Sequence, residues 1–378
     1  MSDIDLHRPL IGQQGSRNAL NTPVLVLDRD GLDRNIAAMA AFARAHGLAL
    51  RPHAKTHKSV EIARLQIDAG AVGVCCAKLG EAEALAGGGI ESILITSPVV
   101  SAPALERLAA LHARMSDLSV VADHPDNVDA LAAAMRSASK PLAVLVDIDP
   151  GIRRTGVASP EAAVALAKRI ARNDALRFAG VQFYCGVQQH IAAYAERRAA
   201  IEERTAYLQT AIEALRSAGH APQLITGGGT GTHRIDAELG VLTELQAGSY
   251  VFMDRQYAEC DLAGAGAPPF ETALFVDARV ISANHASMAT LDAGFKALST
   301  DGGAPAVMEG APAEAAFVFM GDEHGALIAP NHVFRLGERV TLQVPHCDPS
   351  VNLYDAYHVV RGDALIDIWP IAARGRSR

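Results

Sequence analysis

The residues best suited to chemistry stand in one short run: Arg51, Pro52, His53, Ala54, Lys55, Thr56, His57 and Lys58 follow directly on the apolar stretch 48–50. In an extended strand alternate side chains share a face, so Arg51, His53 and Lys55 turn one way and Pro52 and Ala54 the other. If that face is interior, the lysine loses solvation of its ammonium, its pKa falls, and its free amine can attack a carbonyl. The competing reading is a strand end that leaves its charge in water, the commoner fate of such residues.

Two further groups add to this one. Thr226, Gly227, Gly228, Gly229, Thr230, Gly231 and Thr232 come just after the strand-like residues 223–225. Glycines let successive backbone N–H groups converge on an anion and threonines add hydroxyl donors, so at the C-terminal end of a barrel strand this turn is a phosphate cradle. It lacks the Gly-Lys-Ser/Thr of a Walker loop and the spacing of a dinucleotide fingerprint, and a plain flexible loop is the alternative. Gly248 and Ser249, after the last barrel strand, are placed to complete the cradle. The third group is Pro345, His346, Cys347, Asp348 and Pro349. At a strand end His346 and Asp348 share a face and offer one imidazole nitrogen and one carboxylate oxygen to a metal, with Cys347 turned away. That mixed set suits Mn²⁺, Mg²⁺ or Zn²⁺; a hydrogen-bonded surface pair is the alternative.

A chain of 378 residues with 49% hydrophobic content can bury a large core. Its net charge of -8, from 42 acidic against 34 basic residues, provides no basic field for nucleic acid and points to a small-molecule enzyme. Five cysteines, an odd number that includes the adjacent Cys75 and Cys76, argue against a disulfide framework and for a reducing, cytoplasmic setting. Residues 1–15 hold no apolar core and no later run is long enough to span a bilayer, so neither signal peptide nor membrane anchor is expected.

The elements that must position these groups alternate. Candidate strands at 48–53, 72–75, 92–96, 118–122, 143–148, 178–184, 223–226 and 242–247 are separated by helix-like stretches such as 103–115, 128–137, 160–172 and 191–218. Repeated βα units of this number predict a (β/α)8 TIM barrel, with a doubly wound open sheet as the competing architecture. After the Gly/Ala/Pro-rich stretch 262–269 the pattern changes to strand-like runs without long helices, at 272–282, 288–291, 316–320, 338–344 and 356–360, which predict a second, C-terminal antiparallel β domain. The early strand 22–28 fits either sheet, and a helix is expected over 29–46.

Taken together these segments carry a resemblance. Residues 51–58, Gly73-Val74-Cys75-Cys76, Gly151 to Val157, Gln182-Phe183-Tyr184, the triple glycine, Gln246 to Asp254, Asp292 to Lys296, Asp322 to Gly325 and His346 to Pro349 are similar to the D-threonine aldolase family. That family includes 3-hydroxy-D-aspartate aldolases and belongs with the alanine racemase-like, fold-type III pyridoxal phosphate enzymes. The similarity covers almost the whole chain, ending in Trp369 to Gly375. It implies that Lys55 bonds to the aldehyde of pyridoxal 5'-phosphate, that Arg154 and Tyr184 lie against the cofactor, and that Thr226, Gly228, Gly229, Gly248 and Ser249 surround its phosphate. His346 and Asp348 match the metal pair, with Mn²⁺ expected first. Because the lysine strand opens the barrel in this family, residues 1–29 would join the β domain at 261–378, leaving 30–260 as the cofactor-binding barrel. Ala77 departs from relatives that often carry glutamine there.

The implied reaction is retro-aldol cleavage of D-threonine and related D-3-hydroxy amino acids to glycine and an aldehyde. The cofactor serves as electron sink and the metal orients the substrate hydroxyl. The base that removes the hydroxyl proton stays open among His190, His57 and a hydroxide on the metal. Asp322, Glu323 and His324 either orient waters on the metal or form a polar turn. A 3-hydroxy-D-aspartate aldolase is one alternative. A metal-dependent dehydratase of D-serine or 3-hydroxyaspartate is another, although dehydratase relatives typically set a cysteine two residues after the histidine, where Asp348 stands here. A racemase, a non-catalytic pyridoxal phosphate carrier and a cofactor-free lysine aldolase fit less well. A homodimer in which each β domain closes the partner's barrel is implied by the resemblance alone.

Overall fold

The computed structural model describes residues 3–312 and 314–378. It places strands in two sheets. After β1 (Val24–Asp28), the short strands β2 (Ala49–Leu50), β3 (Val74–Cys76), β4 (Ser92–Ile95), β5 (Asp117–Ala122), β6 (Leu142–Asp147), β7 (Leu176–Phe183), β8 (Leu224–Gly227) and β9 (Glu244–Leu245) form an 8-stranded parallel sheet in the order β2-β9-β8-β7-β6-β5-β4-β3. A parallel bridge between His53 and Cys75, with Cys75 N–H donating to Pro52 O at 2.8 Å, joins the two ends and closes the barrel. Closure explains why β6 is apolar up to its terminal Asp147: it is covered on both faces and buried at every position. The crossover helices have clear starts in the sequence. Ser59 and Ser159 accept from the third residue beyond them, Ile62 N–H and Ala162 N–H, and Asp28 accepts from Asp30 N–H.

The second sheet begins with β10 (Leu274–His285), β11 (Met288–Leu291), β12 (Ala306–Glu309), β13 (Ala316–Phe319), β14 (Gly325–Ile328), β15 (Arg339–Gln343), β16 (Ala356–Arg361) and β17 (Ala364–Pro370). The early strand β1 is laid between β10, antiparallel, and β16, parallel, so it belongs here and not to the barrel. That one parallel pair is the exception in a sheet that is otherwise antiparallel. Strands β12, β14 and β17 have no counterpart in the sequence reading, because Ala, Gly and Asp interrupt their β-branched pattern. Among the described residues no helix is long and apolar enough to cross a membrane.

The segment 51–58 departs from the expected strand. Extended pairing stops at Leu50, and after the His53 bridge the chain turns into the 3-10 helix Ala54–Thr56, capped by His53 Nδ1, which accepts from Lys55 N–H at 3.4 Å. Strand alternation therefore does not set the direction of Lys55. Arg51 runs down inside the barrel to Glu244 and to Ser92 at the start of β4, whereas Lys55 rises at the mouth where the strands end.

Candidate active site

A cavity of about 390 Å³ opens at the C-terminal ends of the barrel strands. Its wall includes His53, Lys55, Thr56, Arg154, Tyr184, His190, Gly229, Thr230, Gln246, Gly248, Ser249, Tyr257, His346 and Asp348. The three groups singled out in the sequence thus meet in one place.

Lys55 points its Nζ at Asp348 Oδ1, and Thr56 Oγ1 donates to Asp348 Oδ2 at 2.9 Å. Burial acts to lower the Lys55 pKa, but the Asp348 carboxylate outweighs it and the net shift is upward, the reverse of the expectation from sequence. Asp348 mirrors this: burial would raise its pKa, yet the Lys55 ammonium, His346 and the Thr56 hydroxyl hold it down to about 2. His53, beneath Lys55, is pushed down to about 3 by burial and by the Lys55 charge, so it is neutral near pH 7. Since its Nδ1 accepts from Lys55 N–H, its Nε2 is the donor to Thr96 Oγ1 at 3.0 Å.

His346 and Asp348 do not lie on a strand. His346 is the cap of the short helix Cys347–Val351, and Asp348 sits in its first turn. The helical turn still brings His346 Nε2 within 3.7 Å of Asp348 Oδ2, while Cys347 is buried behind them with its N–H on Asp254 Oδ2 at 2.9 Å. The separation is near that of two ligands on one ion, with bonds of about 2.0–2.2 Å each. Among the described residues no group of three or more His, Cys, Asp or Glu converges as a metal cage. An ion held here would rest on this pair, with its other positions left to water and substrate.

The glycine turn divides. Thr226 is the interior residue of β8, its hydroxyl donating to Glu244 Oε1 at 2.8 Å, and Gly228, at φ +68°, lies against Asp236; neither faces the cavity. Gly229, Gly248 and Ser249 do line it, joined by Thr230. The N–H groups of Gly229, Gly231 and Tyr250 are taken by Thr232 Oγ1, Gln189 Oε1 and Thr230 Oγ1. Those of Thr230, Gly248 and Ser249 have no protein acceptor among the described residues. Three unpaired donors beside a glycine whose Cβ would press on His53 O at 2.9 Å are suited to the phosphate of a bound cofactor.

Arg154 stacks its guanidinium 5.4 Å above the Tyr184 ring at one side of the cavity. His190 stands across from Lys55 with its ring 4.4 Å from that of Tyr257; burial lowers its pKa, and the nearby His346 and Lys55 lower it further. His57 is elsewhere. It is fully buried outside the cavity wall, its Nδ1 accepting from Ser59 N–H at 3.1 Å and its pKa pushed by burial to about 4. The turn Asp322 to His324 is also removed from the cavity, packing under Gly294, with Glu323 paired to Lys296. Gly186, Val187 and Tyr257 reach the wall without having been picked out in the sequence, and no local pattern marks them.

Comparisons with known proteins agree with this layout. The family described as "Alanine racemase, N-terminal domain" matches residues 27–256, and "Putative serine dehydratase domain" matches 273–360. The chain is 38% identical over 362 residues to a 3-hydroxy-D-aspartate aldolase of Paracoccus denitrificans, covering 95% of this chain and 93% of the relative. It is 31% identical over 379 residues to a D-threo-3-hydroxyaspartate dehydratase of Delftia sp., covering 93% and 97%. The crystal structure of a D-threonine aldolase from Filomicrobium marinum superposes with a TM-score of 0.91 at 40% identity, over 95% of this chain and 97% of the other. A lysine, a glycine-rich turn and a His/Asp pair around one barrel mouth, on a chain related end to end to these enzymes, place the protein in the D-threonine aldolase family of alanine racemase-like enzymes.

Proposed function

We propose that the protein is a pyridoxal phosphate- and divalent metal-dependent lyase that splits D-threonine and related D-3-hydroxy amino acids into glycine and an aldehyde. The observation that carries this reading is that Lys55, the pair His346 and Asp348, and Thr230, Gly248 and Ser249, whose N–H groups have no protein acceptor among the described residues, all line one cavity of about 390 Å³. In this reading the barrel, residues 30–260, holds the cofactor and the β domain, residues 261–378, supplies the metal ligands.

When bound, pyridoxal phosphate supplies a conjugated ring that accepts the electrons of the Cα–Cβ bond, and a divalent ion, Mn²⁺ first, supplies positive charge for the substrate hydroxyl. Lys55, whose amine opens on the cavity, would be the residue that holds the cofactor's aldehyde. The turn at 229–230 and residues 248–249 would hold the phosphate, and the Arg154–Tyr184 stack would lie against the ring. His346 Nε2 and Asp348 would hold the metal. His190 is favoured over His57 for accepting the hydroxyl proton: it faces the cavity as a neutral imidazole, whereas His57 is sealed away. Ile152 and Val187 add an apolar patch that suits a methyl substituent, as in D-threonine.

The dehydratase alternative shares the cofactor but releases a 2-oxo acid and ammonia. Incubating the protein with D-threonine, pyridoxal phosphate and Mn²⁺ is expected to yield glycine and acetaldehyde, with loss of both on adding a chelator. Appearance of 2-oxobutanoate and ammonia instead would replace the aldolase reading. Running 3-hydroxy-D-aspartate beside D-threonine ranks the two substrates.

A further inference from the structure

We infer that Asp301 is the positioning residue for His346, fixing which ring nitrogen faces the metal. This rests on the metal reading of His346 and Asp348 given above. Asp301 Oδ2 lies 2.6 Å from His346 Nδ1. A carboxylate oxygen accepts, so Nδ1 supplies the hydrogen of this contact, and the ring form that can bind a metal then has its lone pair on Nε2. That lone pair stands 3.7 Å from Asp348 Oδ2, beyond hydrogen-bond reach, so two acceptors face each other across a gap. A cation between them satisfies both.

The segment that carries Asp301 is fastened to the histidine's own segment at several points. Ser299 N–H donates to Ser350 Oγ and Ser299 Oγ to His346 O, each at 3.2 Å. Tyr354 OH donates to Ala297 O at 2.8 Å. Gly302 lies so close to Pro345 that a Cβ there would come within 2.7 Å of its carbonyl oxygen. Asp301 is thus held in place by backbone on both sides while its side chain remains half open to solvent. Replacing it therefore leaves these anchors intact. The arrangement is that of a metal-bound histidine whose second nitrogen donates to a carboxylate, which orients the ring and raises its basicity.

The test is a Mn²⁺ titration of the cofactor-loaded protein, freed of metal by chelator and followed by the paramagnetic resonance signal of free Mn²⁺. Four proteins are compared: wild type, Asp301→Ala, Asp301→Asn and His346→Ala. Asp301→Ala is expected to weaken Mn²⁺ binding roughly 10–100-fold. Asp301→Asn, which keeps a carbonyl oxygen for Nδ1–H, is expected to recover part of that loss. His346→Ala marks full loss of the ligand. Unchanged Mn²⁺ affinity in Asp301→Ala, with wild type binding and His346→Ala not, overturns the inference while leaving the metal reading intact. If wild type binds no better than His346→Ala, the metal site itself fails and the inference with it. A drop in melting temperature without a change in Mn²⁺ affinity assigns Asp301 a structural role only and overturns the inference as well.

Discussion

At the scale of single residues, Lys55 and Asp348 each answer to more than one demand. Asp348 meets the Lys55 ammonium with one oxygen and accepts from Thr56 with the other, and the same carboxylate faces His346. The lysine is therefore held charged in the free protein, not neutral as its depth alone would make it. Borohydride treatment of the cofactor-loaded protein is expected to fix the cofactor's mass on the peptide containing Lys55, and Lys55→Ala is expected to lose both adduct and activity entirely. An adduct on any other peptide would reject Lys55 as the attachment point. The segment 51–58 advertised this lysine by composition, but its direction was not legible. Pro52 and the His53 cap convert an expected strand into a 3-10 turn, and only pairing across the closed barrel shows it.

At the scale of elements, the turn after β8 owes its shape to Gln189 as much as to its own glycines. Gln189 is buried, with Oε1 accepting from Gly231 N–H at 3.0 Å and Nε2 donating to Thr232 Oγ1 at 3.1 Å and to Cys185 O at 3.2 Å. A Cβ on Gly231 would collide with the backbone oxygen of Gln189, whereas one on Gly229 would meet mainly its side-chain amide. Backbone cannot yield as a side chain can. Gly231→Ala is therefore expected to cost about 1–3 kcal/mol of stability and at least tenfold in cofactor affinity, with Gly229→Ala milder on both counts. Urea unfolding and a cofactor titration read the two effects, and equal losses in the two variants would contradict this account. The sequence located the turn, and the resemblance drew Thr226 and Gly228 to the phosphate as well; that Thr226 instead bonds Glu244 and Gly228 lies against Asp236 was not readable from local spacing. Gln189 lies 42 residues from Gly231 in the chain, and no local spacing joins them.

At the scale of the whole molecule, burial of neutral histidines sets the response to acid. Burial pushes His53 down to about 3 and His57, His233 and His358 to about 4. The unfolded chain takes up these protons near pH 6.5, so stability is fully present above that value and is lost as pH falls toward 4. Two buried carboxyls work in the opposite sense: burial raises Asp147 to about 6 and Asp236 to about 7, so their contribution fades as pH rises. Burial also lowers His190 and raises Asp254, so five histidines stand against three carboxyls, and the urea midpoint is expected to be lower at pH 5 than at pH 7; an equal or higher midpoint at pH 5 would sink the idea. Residue types, spacing and strand count were enough by themselves to predict a barrel and a second sheet and to single out the lysine, glycine and His/Asp groups. These are local properties of periodicity and composition, which the chain carries before it folds. Which side chains share the cavity, which sheet receives β1, which carboxylate meets Lys55 and which one meets His346 Nδ1 were decided by tertiary structure alone. Each depends on contacts between residues tens to hundreds of positions apart, such as Lys55 with Asp348, and no one-dimensional pattern encodes such a distance.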